Sequence, residues 1–171
     1  ISDDKNTGAF NMTSKLFGTD GIRSKFGMKP LTTDCIKLIG YAFAKSMFNN
    51  NSGHVYISHD GRESCNSIES DLISGILCQG SSYTLLDLLP TPALSATMHQ
   101  MKKKDTCAIQ ITASHNQYHD NVLKFFDHCG NKINDSIQHK IENIVYSESF
   151  DIKSVKKHNK IDNQFSEIYV S

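Results

Sequence analysis

Between residues 54 and 126, short apolar runs rich in β-branched residues alternate with stretches whose apolar residues recur at helical spacing, which restricts the possible folds more than any other feature. His54-Val-Tyr-Ile-Ser58, Tyr83 to Leu89 and Cys107-Ala-Ile-Gln-Ile-Thr-Ala113 read as strands. Ser64 to Gln79 reads as a helix with Ile68, Leu72 and Ile76 on one face and Gly80 as its stop. Ile36, Ile39, Phe43 and Met47 make a similar core-facing stripe from Thr32 to about Asn49, with Thr32, Thr33 or Asp34 available as cap. Thr91-Pro92 opens a further helix as N-cap and first residue, and Lys102-Lys103-Lys104 closes it, where cations suit the helix dipole. After a Gly130-Asn131-Lys132 turn, Asn134 or Asp135 caps a last helix carrying Ile137, Ile141, Ile144 and Val145. This alternation predicts an α/β domain with helices on both faces of a sheet.

With 171 residues the chain can bury one real core and carry some tail. Its 18 basic and 18 acidic residues cancel, which gives no electrostatic reason to expect nucleic acid or an anionic membrane as partner. The lysine run has no interleaved aromatic residues, so it reads as a solvated helix end. No apolar run approaches the length of a membrane span, and the polar, acidic first residues do not resemble a signal peptide. Cys35, Cys65, Cys78, Cys107 and Cys129 are odd in number, widely spaced and without a C-x-x-C pair. They are expected to be reduced and mostly buried, in a cytoplasmic setting. Residues 1–13 carry no periodicity and are expected to be a disordered leader, with Met12 as a candidate start. From residue 149 a polar, lysine-rich linker leads to an apolar beginning at Phe165.

The chemistry concentrates where strand 107–113 stops at Ser114-His115-Asn116 and a second apolar run follows from Asp120 to Phe126. Loops at the carboxyl ends of strands are where α/β sheets bind ligands. Asp60 and Arg62, Thr91, and Ser114 each follow a predicted strand and so can converge at one sheet edge. A serine hydrolase would set its nucleophile in G-x-S-x-G, which Thr-Ala-Ser-His-Asn does not match. His115 and His119 at i, i+4 beside Asp120 have metal-ligand spacing, but in a loop and without the glutamate of H-E-x-x-H. A phosphoserine carries about −1.5 to −2 charges at neutral pH and needs cations beside it. Arg23 and Lys124 can supply them, and a lysine can also carry a proton. Leu16-Phe-Gly-Thr-Asp-Gly-Ile-Arg23 reads as a tight turn that leaves Arg23 near a fixed loop. From the residues alone, a phosphoryl carrier stands beside the blander reading of a polar loop without special chemistry.

Phe17-Gly-Thr-Asp-Gly-Ile-Arg23, His59-Asp60-Gly-Arg62-x-Ser64, Pro90-Thr-Pro-Ala93 and Thr112-Ala-Ser-His-Asn116 share the order and spacing of motifs in the α-D-phosphohexomutases. The chain resembles the first, N-terminal domain of that family over about residues 14–146, and its start is most similar to the phosphoglucosamine mutase branch. The resemblance implies a three-layer α/β/α domain I over 14–148 with a mixed, mostly parallel sheet, and a truncated second domain after the linker. It further implies a reversible 1,6-phosphoryl shift on a hexose phosphate, with glucosamine phosphate as the expected sugar. The alternatives are a phosphoglucomutase/phosphomannomutase domain or a non-catalytic remnant serving as an interaction module.

Carried over by residue, the resemblance makes Ser114 the phosphoserine, Lys124 the general acid/base, and His115 and Arg23 members of the same site. Asn116, Thr19, Asp20 and Gly21 fall at substrate-binding positions. Mg²⁺ is implied, held through the Ser114 phosphate and by an Asp-x-Asp-x-Asp loop of a second domain that this sequence does not contain. A hexose bisphosphate is implied as activator, domains 2–4 as partners, and a homodimer as a common assembly. The fragment alone is expected to be inactive. Two local departures stand out: Gln117 replaces the family's usual proline, and Val122 a glycine. If that glycine takes positive φ, the valine would be strained by about 1–3 kcal/mol.

Overall fold

The computed structural model describes residues 15–113 and 120–147. Five strands, β1 (Ile22–Lys25), β2 (His54–His59), β3 (Ser82–Leu88), β4 (Thr106–Ala113) and β5 (Asp120–Phe126), form one sheet in the order β1-β5-β4-β2-β3. Four helices, α1 (Thr33–Met47), α2 (Cys65–Gln79), α3 (Thr91–Met101) and α4 (Asp135–Ser147), cover it. β2 pairs in parallel with β3 and β4, while β5 runs antiparallel to both β4 and β1. Only β5 is therefore reversed: the sheet is mixed and mostly parallel, as expected.

The main core lies on one face, where Ile36, Ile39 and Phe43 of α1, Ile68, Leu72 and Ile76 of α2, and Ile141 and Val145 of α4 pack on Val55, Ile57, Ile109, Ile111, Leu123 and Phe125. α3 covers the other face with Leu94 and Met98 against Tyr56, Ala108 and Phe126. The chain thus has three layers. α1 and α2 pack closely because a Cβ on Gly75 would stand 1.9 Å from the Lys37 carbonyl oxygen, and one on Gly40 2.5 Å from that of Leu72. Only glycine permits that approach.

The caps resolve the choices that the sequence left open. Thr32 caps α1, accepting from the Cys35 amide at 3.4 Å. Asn134 Oδ1 accepts from the Ile137 amide at 3.0 Å at the start of α4. Gly80 ends α2 with φ +100°. α3 starts one residue earlier than expected: Pro90 is its N-cap and Thr91 its first helical residue, because Pro90 is the last residue with extended backbone. Ser64 precedes α2 without capping it; its hydroxyl instead donates to Asn121 Oδ1 at 2.9 Å, tying the helix start to β5. Cys35, Cys65 and Cys107 are buried in the core. Among the described residues, no helix is long and apolar enough to cross a membrane.

Candidate active site

The segment Phe17 to Arg23, expected to be a turn alone, is a turn that feeds an edge strand. The Gly18 amide donates to the Gly21 carbonyl at 2.8 Å, closing a tight loop over Thr19 and Asp20. Gly21 then takes φ +128°, and a Cβ there would stand 2.1 Å from the Leu123 carbonyl oxygen, so the loop lies flat against β5. Phe17 anchors the other side of the loop. Its ring meets Phe125 edge-on at 5.6 Å, and its amide donates to the buried Glu142 carboxylate at 3.2 Å. Lys132 reaches across to donate to the Thr19 carbonyl.

Strand register decides which side chains share a face. Arg23 lies opposite Val122, and Val122 opposite Thr112. Lys124, two residues on from Val122, lies opposite Gln110 and shares that face. Arg23 and Lys124 are therefore diagonal neighbours on adjacent strands, both on the side of the sheet that α3 covers. Diagonal pairs of this kind sit roughly 7–8 Å apart at Cα. Lys124 lines a cavity of about 220 Å³ together with Asp20, Gly21, Thr91, Lys132 and Gln138. Arg23 is not part of that lining. It turns toward Asp120, whose Oδ2 its Nε meets at 3.0 Å.

Beneath Lys124 the sheet is polar and fully buried. Ser58 donates to the Gln110 Oε1, and Gln110 Nε2 donates to the Leu89 carbonyl at 2.9 Å. This relay joins β2 and β4 to the chain entering α3, which places Thr91 over the cavity. At the sheet edge, Asp60 follows β2 and reaches β4: its Oδ2 accepts from the Ala113 amide at 2.8 Å and from the Thr112 hydroxyl at 3.3 Å. Asp60 thus meets the end of β4; Ser114, with which it was expected to converge, lies outside the described residues. Arg62 Nε lies 3.8 Å from the same carboxylate oxygen.

Of the residues singled out from sequence, Thr19, Asp20, Gly21, Arg23 and Lys124 are brought to neighbouring positions, and Asp20, Gly21 and Lys124 share one cavity. Ser114, His115, Asn116, Gln117 and His119 lie outside the described residues. Asp120 was weighed only as a neighbour of His115 and His119, and Glu142 and Lys132 drew no attention as site residues, because their roles depend on partners far away in sequence: the Lys132–Thr19 contact spans 113 residues. Asp60 was signalled by the H-D-G-R motif and by its place just after a predicted strand.

The family model for the phosphoglucomutase/phosphomannomutase α/β/α domain I matches residues 14–151. The chain belongs to that family. Among curated relatives, a phosphoglucosamine mutase of Nitrosococcus oceani is 40% identical over 131 residues, which cover 77% of this chain and 29% of that protein. A phosphoglucosamine mutase of Hamiltonella defensa is 39% identical over 128 residues, 75% of this chain and 28% of that protein. A phosphoglucomutase/phosphomannomutase family protein of Burkholderia thailandensis superposes with TM-score 0.62 at 25% identity, over 77% of this chain and 30% of that one. This phosphohexomutase domain I, most like phosphoglucosamine mutase, spans just under a third of the length of the curated relatives it matches.

Within the family frame, the feared strain at Val122 is absent. Val122 pairs in register with Arg23 and Thr112 inside β5 and is not among the residues with positive φ. An extended strand suits a β-branched side chain, so the glycine of the family pattern is not required here.

Proposed function

We propose that this domain carries the transferable phosphoryl group of a phosphohexomutase acting on glucosamine phosphate, with Ser114 as carrier. The observation that carries the reading is the placing of Arg23 and Lys124 on one face of adjacent strands, Lys124 on β5, which follows the Ser114 segment in sequence, and Arg23 on its neighbour β1. When phosphoserine gives its phosphoryl group to a sugar hydroxyl, the serine P–O bond breaks and a new one forms to the sugar oxygen. The sugar proton is released and the serine oxygen takes up a proton. Lys124 is the group for that proton transfer, and Arg23 the fixed cation for the moving charge. Asp20 and Gly21 line the cavity at Lys124 and, with Thr19, form the sugar-facing loop. His115 and Asn116, next to the carrier in sequence, fill orienting and substrate-binding roles.

The family resemblance implies Mg²⁺. Among the described residues, no three His, Cys, Asp or Glu side chains come together to hold a cation. They do not make a magnesium site by themselves. The remaining ligands belong to a second domain in this reading, as does most of the sugar pocket; a hexose bisphosphate supplies the first phosphoryl group, and the protein works in the cytoplasm.

The test is intact-mass spectrometry of the complete mutase after incubation with glucose 1,6-bisphosphate. One phosphate gained, lost in Ser114→Ala while the melting temperature holds, is the expected result. Normal turnover by Ser114→Ala would refute the carrier role. Uptake failing even with every domain present would favour the non-catalytic remnant instead.

A further inference from the structure

The H-D-G-R motif supplies none of the groups assigned above, yet its aspartate is held by several partners at the site edge. Asp60 Oδ2 accepts from the Ala113 amide at 2.8 Å and from the Thr112 hydroxyl at 3.3 Å. Its Oδ1 lies 3.6 Å from the Cys65 sulfur, within reach of a thiol donor at the first turn of α2. Its own amide donates to the Ile111 carbonyl at 3.1 Å, continuing the β2–β4 ladder one residue beyond the strand. Arg62, two residues on, places its Nε 3.8 Å from Oδ2 and offsets the charge. One carboxylate thus fixes both the backbone and a side chain at the last two residues before Ser114.

We infer that Asp60 is a positioning residue for the phosphoryl carrier, holding Thr112 and Ala113, the two residues that precede Ser114. This rests on Ser114 being the carrier. The physical argument is that phosphoryl transfer depends on placing the reacting oxygen, and a misplacement of about 1 Å can cost a hundredfold. Ala113 and Thr112 immediately precede Ser114 in sequence, so whatever fixes them limits where that residue can sit. A hydrogen bond from an amide to a charged carboxylate is among the stronger ones available to do so.

The experiment compares Asp60→Asn with the parent protein in the complete mutase. Amide hydrogen exchange at Ala113 reads the clamp directly, and the rate of phosphate uptake from glucose 1,6-bisphosphate reads its consequence. Ala113 exchange should speed up by about ten- to a hundredfold, the worth of one charge-assisted hydrogen bond, while Ile109 in mid-strand stays protected. The maximal uptake rate should fall about as much, with the half-saturating bisphosphate concentration unchanged. Thr112→Val, which removes only the weaker contact, should give a smaller loss of the same kind and serves if Asp60→Asn does not fold. Unchanged exchange at Ala113 would overturn the clamp. Faster exchange with an unaltered uptake rate would overturn the positioning role. If the parent protein takes up no phosphate while its Ala113 amide is protected, the carrier reading itself has failed and the positioning role falls with it.

Discussion

Arg23 Nε stands 3.0 Å from Asp120 Oδ2, joining the edge strand β1 to the first residue of β5 across the end of the sheet. The arginine side chain is 42% exposed and the aspartate 18%, so the pair is half in solvent and adds little to stability, about 1 kcal/mol at most. Its value lies in geometry. Asp120 engages Nε and so fixes the plane of the guanidinium, and among the described residues no partner engages its outer nitrogens.

The first prediction follows from that geometry. Arg23→Lys keeps the charge but loses the planar fork, and a single ammonium cannot both pair with Asp120 and present two parallel donors. Phosphate uptake in the complete mutase should fall about tenfold or more. The denaturant midpoint should move by no more than the small worth of a surface pair. A variant with parental uptake would remove Arg23 from the site.

Lys124 separates charge from proton transfer. Lys124→Arg preserves the cation beside the cavity, but a guanidinium does not release its proton at working pH. If Lys124 moves a proton, the substitution should cost about 10²–10⁴-fold in turnover, as loss of a general acid/base does. Steady-state kinetics of the complete mutase decide it: near-parental turnover in the arginine variant would leave Lys124 a purely electrostatic role.

The elements with local signals were legible in the sequence; those made by distant partners were not. α1 announces itself by its stripe and by Thr32, and α2 by Ile68, Leu72, Ile76 and the Gly80 stop, because periodicity and caps act within a few residues. β1 escaped because Ile-Arg-Ser-Lys has four residues, only one of them fully buried, and becomes a strand only by pairing with β5 a hundred residues later. The reversal of β5 was equally invisible, since the sequence carries no mark of strand direction. Arg23 and Lys124 could be named as cations from residue type and motif, but their shared face follows from register. The Asp60–Ala113 bond spans 53 positions and needed coordinates. Val122 reversed an expectation for the same reason: its conformation is set by two neighbouring strands, not by the motif in which it sits.

Glu142 holds the Thr19–Gly21 loop from behind. Its Oε1 accepts the Phe17 amide at 3.2 Å, and its Oε2 lies 3.6 Å from His139 on the same helix. The carboxylate is nearly buried, so Glu142→Ala leaves the Phe17 amide without its partner and should cost about 1–3 kcal/mol by denaturant titration. Glu142→Gln keeps an acceptor and should lose roughly half as much or less. Equal losses in the two variants would mean that packing, not the hydrogen bond, is what Glu142 provides.

Glu69 gives a pH dependence whose sign can be worked out. Its Oε2 is buried and has no hydrogen-bond partner among the described residues. Burial pushes its carboxyl above the ordinary value of 4.5, Asp87 adds to the rise, and His59, whose Nε2 stands 3.9 Å away, draws it partly back. A raised carboxyl means that the folded protein binds a proton at pH values where the unfolded chain has released it. The stabilising contribution is therefore complete below 4.5 and disappears as pH rises through the raised folded value. Glu69→Gln, which cannot ionise, should melt at a higher temperature than the parent at about pH 7, and the gap should close below 4.5. Thermal melts of both proteins across that range check it; a glutamine variant less stable at neutral pH would show that the attraction to His59 outweighs the cost of burying the charge.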